Sequence, residues 1–163
     1  MKIKLSGLGD GEHSYSFNNL CSEIGLDTEY DKEIKVDVIL RKSIRQYYLN
    51  INCSTEKKSV CDRCLSEFYM KLNCSFKVVY TYDQSFSDSN YDDVKFLMFH
   101  DTEIEIDDDV RQMVMLSVPM KSLCNNECKG LCVLCGQNLN YSSCSCEPEF
   151  SDSQFIELKK LKF

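Results

Sequence analysis

Residues 33–40 read EIKVDVIL. Ile34, Val36, Val38 and Leu40 recur at every second position, with Lys35 and Asp37 between them. Successive strand side chains point to opposite faces, so this pattern predicts a half-buried β-strand with an apolar and a polar side. The stretches on either side repeat the signature. RQYYLNINC at 45–53 places Tyr47, Leu49 and Ile51 on one face, and EFYMKLNCSFKVVYTY at 67–82 is a long β-prone run that reads as two strands with a bend. Its aromatics suit core and cross-strand packing better than an RNA-stacking platform. Upstream, KIKL at 2–5 predicts a short strand, GLGDG at 7–11 a turn, and HSYSF at 13–17 another alternating segment, while 20–26 is undecided.

Beyond residue 82 the pattern changes. The polar, acidic stretch 83–94 reads as a linker or long surface loop, and KFLMF at 95–99 as a strand. Asp107, Asp108 and Asp109 suit the N-cap and first turn of a helix, where carboxylates meet exposed N–H groups. Val110, Met113, Val114 and Ser117 share a helical face, and Pro119 ends the helix before residue 118. SDSQFIELKKLKF at 151–163 predicts a second short helix capped by Ser151 or Ser153. The class is α+β: an antiparallel, β-rich part over 1–100, then a helix, a cysteine-rich zinc-binding module and a terminal helix over 101–163.

No repeat of fold scale, Walker loop or dinucleotide-binding glycine pattern is present. The first 19 residues lack the apolar segment of a secretory signal, and no apolar run nears the ~20 residues of a membrane span. The expected location is therefore the cytoplasm, where 11 cysteines are better read as metal ligands than as a disulfide framework.

Six cysteines crowd into CNNECKGLCVLCGQNLNYSSCSC at 124–146, too many for one tetrahedral site and too few for two. CVLCG, from Cys132 to Gly136, is a Cys-x-x-Cys turn whose glycine permits a positive φ after the second thiolate. Cys144 and Cys146 follow after an eight-residue polar loop and complete a self-sufficient set of four. Cys124 and Cys128 are left over. They match the other Cys-x-x-Cys, Cys61 and Cys64 in VCDRCL, about 60 residues upstream. The arithmetic favours two Zn²⁺ ions; one Zn²⁺ on four of the six, an iron–sulfur cluster and an oxidised metal-free form are the alternatives. Cys21, Cys53 and Cys74 stand alone in apolar contexts and read as buried small hydrophobes.

The net charge of −7 is unevenly spread: about −4 over 1–31, +5 over 32–82, −9 over 83–109 and +1 over 110–163. The basic segment offers Lys35, Arg41, Lys42, Arg45, Lys57, Lys58, Arg63, Lys71 and Lys77 as phosphate contacts, or as an ordinary solvated sheet face. Closed all-cysteine sites have no open coordination position, and His13 and His100 lie outside any ligand-like cluster. Asp101 to Asp109 suits a solvated face with helix capping better than a Mg²⁺ site. The chain reads as non-catalytic, with no evident small-molecule substrate.

Taken in order, CDRCL, a helix ending in LSVPMKSLC, CKGLCVLCGQNLN, CSC and FIELKKLK resemble the YceD family, the large ribosomal RNA subunit accumulation proteins, over about two thirds of the chain. Val133 and Leu134 stand where a proline often occurs in the family. The resemblance implies a bacterial or organellar protein needed for normal levels of large-subunit ribosomal RNA. It also favours Cys61, Cys64, Cys124 and Cys128 as one unit, separate from Cys132, Cys135, Cys144 and Cys146. The expected function is that of a zinc-binding factor in ribosomal RNA processing and ribosome biogenesis, with a large-subunit RNA precursor or ribosomal and RNA-processing proteins as partners. The alternative is an adaptor that modulates an RNA-processing enzyme without touching RNA.

Overall fold

A computed structural model describes residues 1–86 and 90–146. The expected terminal helix at 151–163 lies outside the described residues. Five strands form one sheet in the order β2-β3-β4-β5-β6: β2 (Gly11–Leu20), β3 (Glu33–Ser43), β4 (Gln46–Val60), β5 (Glu67–Thr81) and β6 (Asp93–Phe96). All neighbours are antiparallel except β5 and β6. A two-stranded ribbon pairs β1 (Lys2–Lys4) with β7 (Glu103–Glu105), so segments from either side of position 100 share one ladder. The one α-helix among the described residues is α1 (Asp107–Leu116).

The alternation of residues 33–40 sets the architecture. Ile34, Val36, Val38 and Leu40 are buried, and the register carries the same face to Leu49 and Ile51 on β4 and to Phe76 and Val78 on β5. Ile24 and Leu26, Ile3 and Leu5, Ile104 and Ile106, and Val110 and Val114 cover this face and join it in one core. Burying each such side chain contributes on the order of 1.5–3 kcal/mol, so the continuous face outweighs any single loop preference. The other face of β2–β5 stays open and polar, with Ser16, Asp37, Asn52 and Ser75 aligned across four strands.

β4 and β5 pair along their full lengths, from Gln46↔Thr81 to Val60↔Glu67. The expected bend in β5 is absent: its ladder with β4 runs unbroken from Glu67 to Thr81. The tip of this hairpin is the Cys61–Cys64 turn, carried past the end of the main core.

Other expectations are corrected. Asp93 and Val94, assigned to the linker, open β6, and KFLMF leaves the strand after Phe96 to turn at Met98–Asp101. Residues 103–105 are a strand, stabilised by pairing with β1. The N-cap of α1 is Ile106, and all three aspartates fall inside the first turn. Asp109 is buried there, accepting a hydrogen bond from the Tyr80 hydroxyl (2.7 Å) and pairing with Lys95. Cys21 is a buried free thiol, as expected. Cys53 and Cys74 are not: they are directly opposed on β4 and β5 with Cα atoms 5.3 Å apart, and they form a disulfide. The register places both on the core-facing side, within bonding reach.

Candidate metal centres and the basic sheet face

Two Cys-x-x-Cys turns have the same backbone design. Leu65 N–H donates to the Cys61 carbonyl, and Gly136 N–H to the Cys132 carbonyl, each at 2.9 Å. The residue after the second cysteine takes a positive φ in both: 72° at Gly136 and 56° at Leu65. The turn folds both thiols to one side and aims backbone N–H groups at them.

At the first turn, Cys61 and Cys64 meet Cys124 and Cys128. The four sulfurs all lie within 4.8 Å of one another, with Cys61–Cys128 at 3.8 Å and Cys64–Cys124 at 3.6 Å. A tetrahedral thiolate site with metal–sulfur bonds near 2.3 Å has sulfur edges of about 3.8 Å, so the set fits one ion. Cys61, Cys64 and Cys128 are buried under Phe68, Leu123 and Leu131. Polar clamps hold the two segments together. Ser122 N–H donates to the Asp62 carboxylate (2.7 Å), Asp62 N–H donates to the Ser122 carbonyl (2.8 Å), and the Arg63 guanidinium donates to the Cys128 carbonyl (2.9 Å).

The second group, Cys132, Cys135, Cys144 and Cys146, also has all its sulfurs within 4.8 Å, and lies nearer solvent, with Cys135 exposed. Lys129, Gly130 and Leu131 bridge the two groups. Gly130 has φ +76° and lies directly against the backbone of Arg63.

The thiols differ electrostatically. N–H donation from Cys124, then from Cys64 and Arg63, pulls Cys61 down to about 6. N–H groups of Cys135 and Leu134 pull Cys132 down to about 6. Lost solvation and neighbouring thiols push Cys124 up to about 12, and Cys146 is pushed up to about 12, chiefly by its hydrogen bond with Cys135. Each group thus pairs a readily ionised thiol with one that holds its proton.

The nine basic candidates separate once their partners are visible. Arg41 pairs with Glu12 (2.7 Å), Lys57 with Glu29 (2.9 Å) and Lys58 with Glu67 (2.9 Å). Lys42 sits on the Leu8 carbonyl and near Asp10, and Arg63 is committed to the clamp. Lys35, Lys71, Lys77 and Arg45 are exposed and have no ion-pair partner among the described residues. Lys35, Lys71 and Lys77 share the open face, where Lys35 and Lys71 border a shallow trough that Asp31, Glu33 and Glu56 also line. His13 contacts the Gly9 carbonyl at 2.9 Å, and His100 is largely exposed beside Asp101.

Sequence reasoning missed the groups around the thiols: Ser66, whose hydroxyl lies 3.4 Å from Cys64 Sγ, and Asn140, whose amide lies 3.3 Å from Cys128 Sγ. Spacing finds candidate ligands, whereas these contacts depend on how the segments fold back.

Residues 49–162 match the family described as Large ribosomal RNA subunit accumulation protein YceD. Among curated proteins, the chain is 44% identical over 62 residues to "Large ribosomal RNA subunit accumulation protein YCED homolog 1, chloroplastic" of Zea mays, covering 37% of this chain and 21% of that protein. It is 37% identical over 60 residues to the Arabidopsis thaliana protein of the same name, covering 37% of this chain and 19% of that protein. The alignments thus span about a fifth of these relatives' length. No solved structure matches. No helix among the described residues is long and apolar enough to cross a membrane.

Proposed function

The chain belongs to the YceD family of large ribosomal RNA subunit accumulation proteins, and from that premise we propose that it is a non-catalytic, zinc-stabilised binding factor for large-subunit ribosomal RNA precursors, acting in the cytoplasm or an organelle. The two groups of four thiols carry this reading. Soft thiolates at tetrahedral spacing suit Zn²⁺, and sulfurs this close surround one ion rather than a cluster of several irons. Four thiolates fill the coordination sphere, so the metal's part is structural: the first ion fixes the hairpin tip to residues 124–128, and the second closes residues 132–146 on themselves.

RNA contact falls to the open sheet face, through Lys35, Lys71 and Lys77, with Arg45 at the β3–β4 turn. Each phosphate contact releases counterions, so binding weakens with salt. The expected result is cosedimentation with large-subunit precursors that falls as salt rises, with a log–log slope reduced by about 2–3 when all three lysines become alanine. Association unaffected by salt and by the triple substitution sinks the RNA reading. Native mass spectrometry should find two zincs per chain, one lost in Cys61→Ser and the other in Cys132→Ser; a single zinc refutes the partition.

One observation favours a second reading. Most of the nine cations are paired or committed internally, which leaves little charge for RNA. On that reading the metal-stabilised tip is a rigid surface for an RNA-processing enzyme or a ribosomal protein. Partners that persist in pull-downs after nuclease treatment distinguish it.

A further inference from the structure

The eight-residue loop of the second thiol group, residues 136–143, does more than connect Cys135 to Cys144. It folds back onto the first group. Leu139 N–H donates to the Gly130 carbonyl at 2.9 Å, and Leu131 and Asn138 form an isolated β-bridge. This brings two asparagine amides to the first group's ligands. Asn140 Nδ2 donates to Cys128 Sγ at 3.3 Å, and Asn138 Nδ2 donates to Ser66 Oγ at 3.4 Å, with that hydroxyl in turn 3.4 Å from Cys64 Sγ.

The amide orientations are fixed by their other contacts. Lys129 N–H needs an acceptor, and Asn140 Oδ1 accepts from it at 2.8 Å. That leaves Nδ2 facing the sulfur. Asn138 Oδ1 likewise accepts from the Asn140 backbone N–H at 3.0 Å and from Asn140 Nδ2 at 2.8 Å, which turns the Asn138 amide nitrogen toward Ser66. A reversed Asn140 would set its carbonyl oxygen against the thiolate and its NH₂ against an N–H donor.

We propose that the loop of the second tetrad is the outer hydrogen-bond shell of the first, so that the two metal sites are coupled and filling the second tightens the first. The inference rests on both tetrads binding metal. Both ends of the loop attach to ligands of the second ion. Without that ion the loop is free to leave, and Cys128 loses its amide donor. A four-thiolate site carries two negative charges around one divalent ion, and N–H donors that spread this charge raise affinity. Removing such a partner typically lowers metal affinity about 10–100-fold. Coupling is reciprocal, so filling the first site tightens the second by the same factor.

The test uses the full chain loaded with Zn²⁺ for chelator competition and with ¹¹³Cd²⁺ for NMR. Cys61→Ser and Cys132→Ser assign the two cadmium resonances. Asn140→Asp keeps the acceptor for Lys129 N–H but removes the donor to Cys128. It should weaken the first site about tenfold and move that site's resonance while both ions stay bound. Cys144→Ser/Cys146→Ser, which abolishes the second site, should weaken the first by a similar factor, and adding Asn140→Asp in that background should change it less than threefold. First-site affinity within threefold of the parent chain in Asn140→Asp, or full effects of both changes in combination, overturns the coupling. A parent chain that binds neither ion overturns the metal reading and the coupling with it. If the double serine variant does not fold, stepwise ¹¹³Cd²⁺ titration of the metal-free parent chain decides: the first site's resonance should move and its ion should become harder to chelate as the second site fills, and a first site unchanged by that filling overturns the coupling.

Discussion

Gly130 and Gly136 form a matched pair that isolates the contact between the hairpin tip and the segment docked on it. Both have left-handed φ angles, +76° and +72°. A Cβ at Gly136 meets nothing within 4 Å, whereas at Gly130 it meets the Arg63 carbonyl oxygen at 3.2 Å and Arg63 Cβ at 3.5 Å. Alanine in this conformation costs about 1–2 kcal/mol, less about 0.4–1 kcal/mol returned by a stiffer unfolded chain. Gly136→Ala should therefore destabilise by about 1 kcal/mol. Gly130→Ala has the same penalty plus crowding against a backbone that cannot swing away, because Arg63 lies between Cys61 and Cys64 and its guanidinium holds Cys128. Overpacking of this kind adds about 1–3 kcal/mol, for a total of about 2–4 kcal/mol. Urea unfolding of the full chain with Zn²⁺ added, followed by circular dichroism, separates the two. In chains of this size each kcal/mol lowers Tm by about 2–4 °C, so thermal scans should show the same order. Asparagine tolerates left-handed φ and should recover part of the loss at Gly136 but not at Gly130. Equal losses for the two alanine variants, within about 0.5 kcal/mol of measurement scatter, would refute the docked contact.

Two further substitutions test other parts of the fold. Leu65 has the φ that Gly136 has in the other turn, and its side chain is 65% exposed. Leu65→Gly should therefore stabilise the chain by roughly 0.5–1 kcal/mol, and a loss of stability would show that Leu65 serves packing instead. Tyr80→Phe leaves the buried Asp109 with Lys95 alone, at a cost of about 1–3 kcal/mol at neutral pH. Burial, then the Asp109 carboxylate, hold the Tyr80 phenol well above its usual range. The folded state keeps this proton longer than the unfolded chain, so its contribution is complete below the unfolded value near 10 and is lost as pH rises beyond it. The variant should lose stability less steeply above about pH 10, and parallel curves for the two proteins would contradict that coupling.

The alternation of residues 33–40 made the sheet's apolar face legible, because a half-buried strand writes its burial directly into residue order. Strand order and register are not written that way. Nothing local in DVKF announces a parallel edge strand, and EIE at 103–105 is too short to declare itself without its partner Ile3. The same limit hid the Cys53–Cys74 disulfide, since both lie on readable faces but only the β4–β5 register opposes them. The second thiol grouping was accessible because tight-turn spacing is a local constraint, and the first, which spans 60 positions, only because counting in fours left two cysteines over. The basic residues were not, since charge counting cannot see that Arg41 meets Glu12 across 29 positions. Leu65 shows the reverse case: nothing local in CDRCL declares that this residue takes the left-handed φ that Gly136 takes in the matching turn.

The first tetrad closes across 60 positions between Cys64 and Cys124, with the second pair emerging from the ribosome long after the first. At about 5–20 residues per second, a nascent chain presents Cys61 and Cys64 unpartnered for roughly 3–12 s. Through that interval the β4–β5 hairpin ends in two thiols able to hold a metal only weakly, and Cys61 also lacks the Cys124 N–H that does most to ease its ionisation in the folded chain. Synthesis thus contains a pause-sensitive window. A ribosome stalled before codon 124 carries a chain whose sheet is fully specified but whose tip is an open, oxidisable dithiol.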